Sequence, residues 1–261
     1  MGIGEASAIS HQPSVKRGWR EPDLRLLCER CGYHLKGMRR SDVCPECGKP
    51  VVESLPERRV GSAWQRKRGF RGFLRVLVSL MEHPVLTWDN VTTRSGRDLS
   101  LLMAGSLFAV TVTILPLGLL KCWLSQGDGA PAVVRAAGRC AGFALGVAVV
   151  MLALSAIELC GITLVTRRRK WRSSFTHSLA IVSHAATMWV AGTAGIVLGI
   201  IAAFVLAGLF VERWMLFTGA AAGFLPGLLI FETLVYIGMQ KMKYANAPGS
   251  ERELAPEHTD A

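Results

Sequence analysis

The sequence predicts an all-α integral membrane helical bundle of about four spans, with five as the alternative. A small ribbon that contains four cysteines precedes the bundle in the chain. Three observations predict this fold class. The 261 residues are 51% hydrophobic and 19% charged, with a mean hydropathy of +0.34, and a soluble domain of this length usually carries more charge. Apolar runs of about 20 residues, long enough to cross a bilayer, recur after residue 98. Two tight cysteine pairs precede them.

The cysteine pairs have the spacing of a metal site. Cys28 and Cys31 form one C-x-x-C pair and Cys44 and Cys47 form the other, and a glycine follows each pair. Two such turns can offer four thiolates to one tetrahedral ion at about 2.3 Å. We therefore predict a metal site with zinc as the favoured ion and iron as the alternative. Two disulfides are disfavoured, because the topology derived below places this segment in a reducing compartment. His34 is interpreted as a surface residue, because four cysteines already complete a tetrahedral shell.

The residues around the cysteines resemble a known type of ribbon. The phrases are Cys28-x-x-Cys31-Gly32-Tyr33-x-Leu35-x-Gly37 and Cys44-Pro45-Glu46-Cys47-Gly48. They resemble the N-terminal zinc ribbon of uncharacterised multi-span bacterial membrane proteins, which implies a four-cysteine zinc site without catalysis. Rubredoxins share similar phrases and bind iron, but the interval between the pairs is much shorter here and their aromatic core is missing.

The first hundred residues divide into three parts. We predict a disordered lead over 1–24, the zinc ribbon over 25–52, and a linker with a basic amphipathic helix over 53–98. From Trp64 to Glu82, apolar residues recur three and four apart, and His83-Pro84 stops the pattern. The helix either lies in the headgroup layer and binds anionic lipid headgroups, or packs on the protein's own spans. Its cations are Arg66, Lys67, Arg68, Arg71 and Arg75.

The transmembrane domain is predicted over 99–239. Apolar stretches at 99–120, 142–166 and 215–239 each fit one span. The stretch 179–211 is too long for one upright helix. We interpret it as an interfacial lead-in from Trp171 followed by a span from about Met188, with two short helices as the alternative. A flexible cytoplasmic tail is expected over 240–261.

Basic residues predict the orientation. The densest short cluster lies at 167–172, so this loop is expected to be cytoplasmic. Four spans then place both termini in the cytoplasm, and we expect a multi-pass protein of the cytoplasmic membrane of a bacterium. The same bias accounts for the formal net charge of +11.

Glycines spaced four apart predict where spans touch, because helix association in lipid relies on close backbone approach. The rows are Gly138, Gly142 and Gly146; Gly195 and Gly199; and Gly223 and Gly227.

Beyond the ribbon, the layout of the chain resembles Yip-type membrane proteins. The similarity lies in the amphipathic lead that ends near His83-Pro84, the closely spaced spans, and the stretch 171–184 that enters the middle spans. It implies a membrane adaptor or organiser with no enzymatic residues. That family usually shows five spans, which would require 179–211 to be split.

Three ionisable residues lie at similar depth within the predicted spans, namely Glu158, His184 and Glu232. Ionisable groups in lipid are functional candidates by default. We expect each to turn inward and the three to interact, either as interhelical glue or as a proton or ion path. Protease signatures, a nucleophile elbow, a Walker loop and a dinucleotide fingerprint are missing, so no enzyme is predicted.

The sequence therefore favours a membrane-embedded scaffold or interaction protein with a structural zinc ribbon. The expected partners are the lipid bilayer, a cytoplasmic protein for the ribbon and a second copy of the chain. A transporter that uses Glu158, His184 and Glu232 is the first alternative, and a membrane-tethered nucleic-acid binder is the second. Nucleic acid is disfavoured, because the ribbon has little aromatic surface beyond Tyr33 for stacking bases.

Overall fold

The computed structural model describes residues 25–93, 96–124, 130–169, 171–172, 174–207 and 213–255. The predicted disordered lead, 1–24, and the end of the predicted tail, 256–261, lie outside the described residues. The ribbon is followed by eight described α-helices: α1 Ala63–Arg66, α2 Phe70–Glu82, α3 Pro84–Asn90, α4 Asp98–Leu124, α5 Ala130–Arg168, α6 Phe175–Ala185, α7 Trp189–Ala207 and α8 Arg213–Met242. Short 3-10 turns lie at Val51–Ser54, Pro56–Arg58, Ala186–Met188 and Ser250–Glu253.

Four segments of the described chain are long and apolar enough to cross a membrane. They are Asp98–Gly118, Ala137–Arg168, Phe175–Leu206 and Trp214–Met242. The described ribbon contains no strand, only two isolated β-bridges. The predicted all-α membrane bundle with a cysteine cluster at its N-terminal side is therefore confirmed.

The described part of the long stretch 179–211 lies in one candidate membrane span, Phe175–Leu206. Helix α6 ends at Ala185, a single 3-10 turn follows, and α7 begins at Trp189. The joining residue Ala186 keeps right-handed helical angles, φ −63° and ψ −15°, so the chain does not reverse. The 11 residues of α6 extend only about 16 Å, too short for a hydrocarbon core of about 30 Å.

Helix α6 differs from the interfacial lead-in that the sequence predicts. Eight of its eleven residues are buried, and it packs against α4, α5 and α8. Its small residues permit this close packing, because Ala180, Ser183 and Ala185 present little volume to the neighbouring helices. The lead-in is therefore a buried helix inside the bundle.

The α7–α8 pair is built on glycine. Three glycine pairs face one another across it: Gly192 with Gly227, Gly195 with Gly223, and Gly199 with Gly219. A Cβ added to any of these six residues except Gly192 would overlap backbone of the facing helix. The prediction that the rows at 195–199 and 223–227 mark a helix contact is confirmed.

The glycine row on α5 behaves differently. A Cβ built on Gly138, Gly142 or Gly146 meets no atom within 4 Å. The prediction of a helix contact there is wrong within this described chain, because the spacing of glycines permits close approach but does not create a facing helix.

The predicted amphipathic helix is interrupted. Its first turn forms α1, the chain then opens at Lys67–Gly69, and α2 begins at Phe70. Gly69 has a φ of +133°, which other residues rarely adopt. Phe73 of α2 lies 5.3 Å, ring centre to ring centre, from Phe108 of α4. Helix α2 thus packs on the protein's own spans and leaves Phe70 and Met81 exposed on its outer side.

Two buried tryptophans join the helices. Trp189 at the start of α7 stacks on Phe231 of α8 with ring centres 4.3 Å apart, and its indole N–H donates to Ser155 Oγ of α5 at 3.0 Å. Trp88 of α3 is fully buried and lies against Gly238 of α8. The short helix α3 is thereby fixed to the end of the bundle that carries the ribbon.

Candidate metal centre and its docking surface

The ribbon consists of two equivalent turns. In the first, the Gly32 N–H donates to the Cys28 carbonyl at 2.8 Å; in the second, the Gly48 N–H donates to the Cys44 carbonyl at 2.8 Å. The first cysteine of each pair donates its N–H to a carbonyl five residues later: Cys28 to Tyr33, and Cys44 to Lys49. Gly32 and Gly48 have φ values of +83° and +71°, so each turn requires its glycine.

The two turns bring the four predicted ligands together. The sulfurs of Cys28 and Cys47 lie 3.5 Å apart and those of Cys31 and Cys44 lie 3.6 Å apart, and all four sulfurs lie within 4.8 Å of one another. A tetrahedral ion with metal–sulfur bonds of about 2.3 Å separates its sulfurs by about 3.8 Å. The cysteines are free, and their four sulfurs have the arrangement that a single metal ion needs.

The backbone prepares one of these thiols for deprotonation. Burial raises the pKa of Cys28, but hydrogen bonds from the backbone N–H groups of Cys31 and Arg30 outweigh burial and lower it to about 7. Loss of solvation and the neighbouring sulfurs raise the pKa of Cys31 to about 12. Successive thiolates therefore repel one another, and a bound cation would remove that repulsion.

The ribbon has a very small hydrophobic core. Four aliphatic side chains, Leu26, Leu35, Val51 and Leu55, are almost fully buried together with Cys28 and Cys44. A core of this size cannot offset the conformational entropy of the segment. The ribbon therefore needs stabilisation beyond its core, which a metal ion at the four sulfurs would add to the contacts with the rest of the chain.

The segment after α8 supplies one set of these contacts. The Asn246 side chain accepts from the Leu27 N–H at 2.9 Å and donates to the carbonyls of Leu27 and Ser54, both at 2.6 Å. Tyr244 covers the first turn so closely that a Cβ on Gly32 would lie 2.7 Å from its ring.

The same segment also binds the ribbon through Glu253. The Glu253 carboxylate accepts from the Leu26 N–H at 2.7 Å and lies 2.9 Å from His34 Nε2. Burial raises the pKa of Glu253, but these two groups outweigh burial and hold it below its usual value. Residues 240–255 are therefore ordered against the ribbon, unlike the flexible tail that the sequence predicts. His34 is partly exposed, as expected, but it has a partner.

A buried ion pair fixes the ribbon to the bundle. Arg59 Nε donates to Glu29 Oε1 at 2.8 Å, and the Arg59 side chain is 3% exposed. The same guanidinium donates to the carbonyls of Trp88, Val91 and Lys241 at 2.9, 3.1 and 3.3 Å. One side chain thus joins the ribbon, α3 and the end of α8.

Arg172 makes a second connection. It is buried and donates to the Ala245 carbonyl and to Asn246 Oδ1, both at 3.0 Å, and also to the Arg25 carbonyl. The sequence alone indicates only that Arg172 belongs to the basic cluster at 167–172. The ribbon, this cluster and the segment after α8 consequently lie at the same end of the helices.

The three membrane-embedded ionisable residues do not form the predicted cluster. His184 Nδ1 lies 2.8 Å from the Ala180 carbonyl and Nε2 lies 2.8 Å from Ser62 Oγ. A carbonyl can only accept, so Nδ1 donates and Nε2 accepts from the Ser62 hydroxyl. Both ring nitrogens are engaged, and the predicted interaction of His184 with the glutamates is wrong.

The two glutamates lie within range of each other's charge. Glu158 is half-buried and lies near enough to Glu232 for their charges to interact. Glu232 is exposed on the outer side of α8, because Phe231, Leu234 and Val235 occupy the inward face. The expectation that both acids turn inward is therefore wrong for Glu232.

Sequence reasoning missed Arg59 and Asn246, which fix the ribbon in place. Asn246 meets Leu27 across 219 residues and Arg59 meets Lys241 across 182. A single arginine in a charged linker and a single asparagine in a polar tail carry no pattern that predicts such partners. Comparison with protein-family models, curated proteins and solved structures finds no match for the chain.

Proposed function

We propose that the protein is a membrane-embedded scaffold whose structural zinc ribbon presents a binding surface to a cytoplasmic protein. The observation that carries the proposal is that the four-sulfur cluster is built into the end of the bundle through Asn246, Glu253 and the Glu29–Arg59 pair. A ribbon held at this many points is a fixed part of the membrane domain. A site closed by four sulfurs leaves no open position for catalysis, which favours a structural role.

Zinc fits the donor set best. Four thiolates in tetrahedral arrangement select zinc or iron, and residues 25–52 do not supply the aromatic shielding typical of rubredoxin iron. Tyr33 is the single aromatic residue in 25–52, which also disfavours a ribbon that stacks nucleic-acid bases.

Elemental analysis of the full chain in detergent tests the metal. We expect one zinc per chain, loss of that zinc in Cys28→Ser, and its retention in the matched variant Cys160→Ser, which changes an exposed cysteine of α5. Iron in place of zinc, or equal metal content in both variants, would contradict the proposal. The full chain is needed because residues 244–254 complete the ribbon.

The loop between the two turns is the surface we propose for the partner. It carries exposed Arg39, Arg40 and Val43. A photo-crosslinking amino acid at Arg40 should give protein adducts in cells, whereas one at Leu107, exposed on α4, should give mainly lipid adducts. Equal protein yields from both positions would argue against a dedicated partner surface.

The cytoplasmic orientation rests on exposed Arg167, Arg168 and Arg169 at the ribbon end, against Arg135 and Arg139 near the start of α5. Cysteines placed at Arg168 and Arg135 make a matched pair in a chain whose Cys122, Cys140 and Cys160 are serine. An impermeant thiol reagent should label position 135 and spare position 168 in intact cells. The reverse pattern would invert the topology.

A transporter remains the second candidate because Glu158 and Glu232 lie in candidate spans within range of each other's charge. Under this alternative, Glu158→Gln should abolish pH-driven flux into liposomes and leave the fold intact. Under the scaffold proposal, Glu158→Gln is tolerated, because glutamine has nearly the same volume and carries no charge into the membrane, and no flux depends on residue 158.

A further inference from the structure

A charged cleft separates the ribbon from the end of the bundle. Its volume is about 500 Å³, within the usual range of ligand sites, about 300–1,000 Å³. The two turns of the ribbon form one wall, and the end of α8 with Lys243 forms the other. Five cations line it: Arg30, Lys49, Arg59, Lys241 and Lys243.

The three carboxylates of the cleft do not balance these cations. Glu29 is bound by Arg59 at 2.8 Å and lies 4.0 Å from Lys49, and Asp89 lies 3.4 Å from Lys241. The third, Glu53, pairs at 3.2 Å with Arg58, which does not line the cleft.

The surplus positive charge comes from both walls. Arg30 of the ribbon donates to the Cys47 carbonyl at 3.5 Å, and Lys243 lies 5.4 Å from the centre of the Tyr244 ring. Neither contact neutralises a charge. A cleft with five cations and three carboxylates attracts anions, and lysine and arginine are the usual ligands of phosphate.

The position of the cleft indicates the source of the anion. The last candidate span ends at Met242, so Lys241 and Lys243 lie at the depth where a lipid headgroup begins. Basic pockets at the membrane surface bind phospholipid headgroups in this way. We propose that the cleft binds the phosphate group of an anionic phospholipid, held between the ribbon and α8.

This site differs from the basic face of α1 and α2. The exposed cations of that face are Arg66, Lys67, Arg68, Arg71 and Arg75. That face consists of consecutive chain segments, whereas the cleft needs two separate parts of the chain. It exists only while the ribbon is docked on α8. A phosphate bound there bridges the two walls and stabilises the docked ribbon.

Thermal unfolding of the full chain in detergent tests the site. Phosphatidylglycerol should raise the midpoint, whereas neutral phosphatidylcholine should not. The double variant Lys49→Gln/Lys243→Gln should weaken the apparent affinity for phosphatidylglycerol about tenfold or more, since two cations near the surface are lost. The matched control Lys36→Gln/Arg39→Gln removes two exposed cations that lie outside both the cleft and the basic helix and should retain the wild-type affinity.

Two further probes identify the ligand. If glycerol phosphate or inorganic phosphate stabilises the wild type but not the double variant, the site recognises the phosphate group itself. If only the lipid stabilises the wild type, binding also requires the acyl chains. An unchanged midpoint of the double variant without ligand shows that it is folded. Equal affinity in the double variant and its control, or no response to any phosphate compound, would overturn the proposal.

Discussion

The ribbon and the α7–α8 pair are both places where two chain segments approach closely, but different forces hold them. Across α7 and α8, glycine lets backbone contact backbone along successive turns, and the stabilisation comes from many small van der Waals contacts. At the ribbon, a few directed groups act instead: four sulfurs, one buried ion pair and the hydrogen bonds of Asn246. The first contact fails when volume is added, and the second fails when a single group is removed.

Removal of the metal should produce the largest effect, and it should remain confined to the ribbon end. Metal binding in small zinc domains supplies about 10–16 kcal/mol of folding free energy, far more than the aliphatic core of the ribbon provides. Chelation should make 25–58 and 244–255 sensitive to protease while α7 and α8 stay resistant. Hydrogen exchange followed by peptide would show this contrast, and simultaneous loosening of α7 would refute it.

Added volume should break the helix pair and spare the ribbon. A Cβ on Gly223 overlaps the Gly195 carbonyl, so Gly223→Val should cost about 3 kcal/mol or more. Gly142→Val on α5 is the matched control, because its Cβ meets open space. Thermal midpoints in detergent should fall for the first variant alone, with zinc content unchanged in both.

Loss of one directed group should weaken the ribbon end by an intermediate amount. Asn246→Ala leaves the Leu27 N–H and the Ser54 carbonyl without their partner, a cost of about 2 kcal/mol. Asn90→Ala removes a bond from an exposed asparagine to Leu86 and should change stability by less than about 0.5 kcal/mol. Similar hydrogen-exchange rates at Leu27 in both variants would contradict the assigned role of Asn246.

Loss of the Glu253 charge at low pH should change the stability of the ribbon end least. The folded-state pKa of Glu253 lies below its usual value because Leu26 and His34 bind the carboxylate. Its contribution is therefore present above the unfolded-state pKa and is lost as the pH falls through the folded-state pKa. The side chain is 26% exposed, and solvent screening keeps the contribution below about 1 kcal/mol. The difference between wild type and Glu253→Gln isolates it from acid release of the metal, and a difference that grew on acidification would contradict it.

The spans and the metal ligands could be predicted because their signals are local. A run of apolar residues determines a crossing wherever it stands, and C-x-x-C-G determines a turn from its own backbone. The break of the amphipathic helix at Gly69 was less predictable, since glycine is tolerated inside many helices and here its φ of +133° ends one. The interpretation of 179–211 was wrong in placing the first part of this apolar stretch in the membrane interface, because α6 is buried inside the bundle.

The sequence did not determine which residues contact each other across the helices. Gly138, Gly142 and Gly146 carry the same spacing as Gly195 and Gly199, yet only the latter meet another helix. His184 has the depth of the two glutamates, but depth does not specify direction around a helix, and the ring turns to Ser62.

The sequence by itself determined the apolar stretches that form four candidate membrane spans in the described chain, and it determined that Cys28, Cys31, Cys44 and Cys47 form one group. Both follow from local composition and short spacing, where each residue's environment is set by its neighbours in the chain. Only the tertiary structure decided that the ribbon is joined to the bundle, that the segment after α8 completes it, and that a cationic cleft lies between them. Those features depend on side chains such as Arg59 and Asn246 meeting partners about two hundred residues away, and the fold of the whole chain selects such partners.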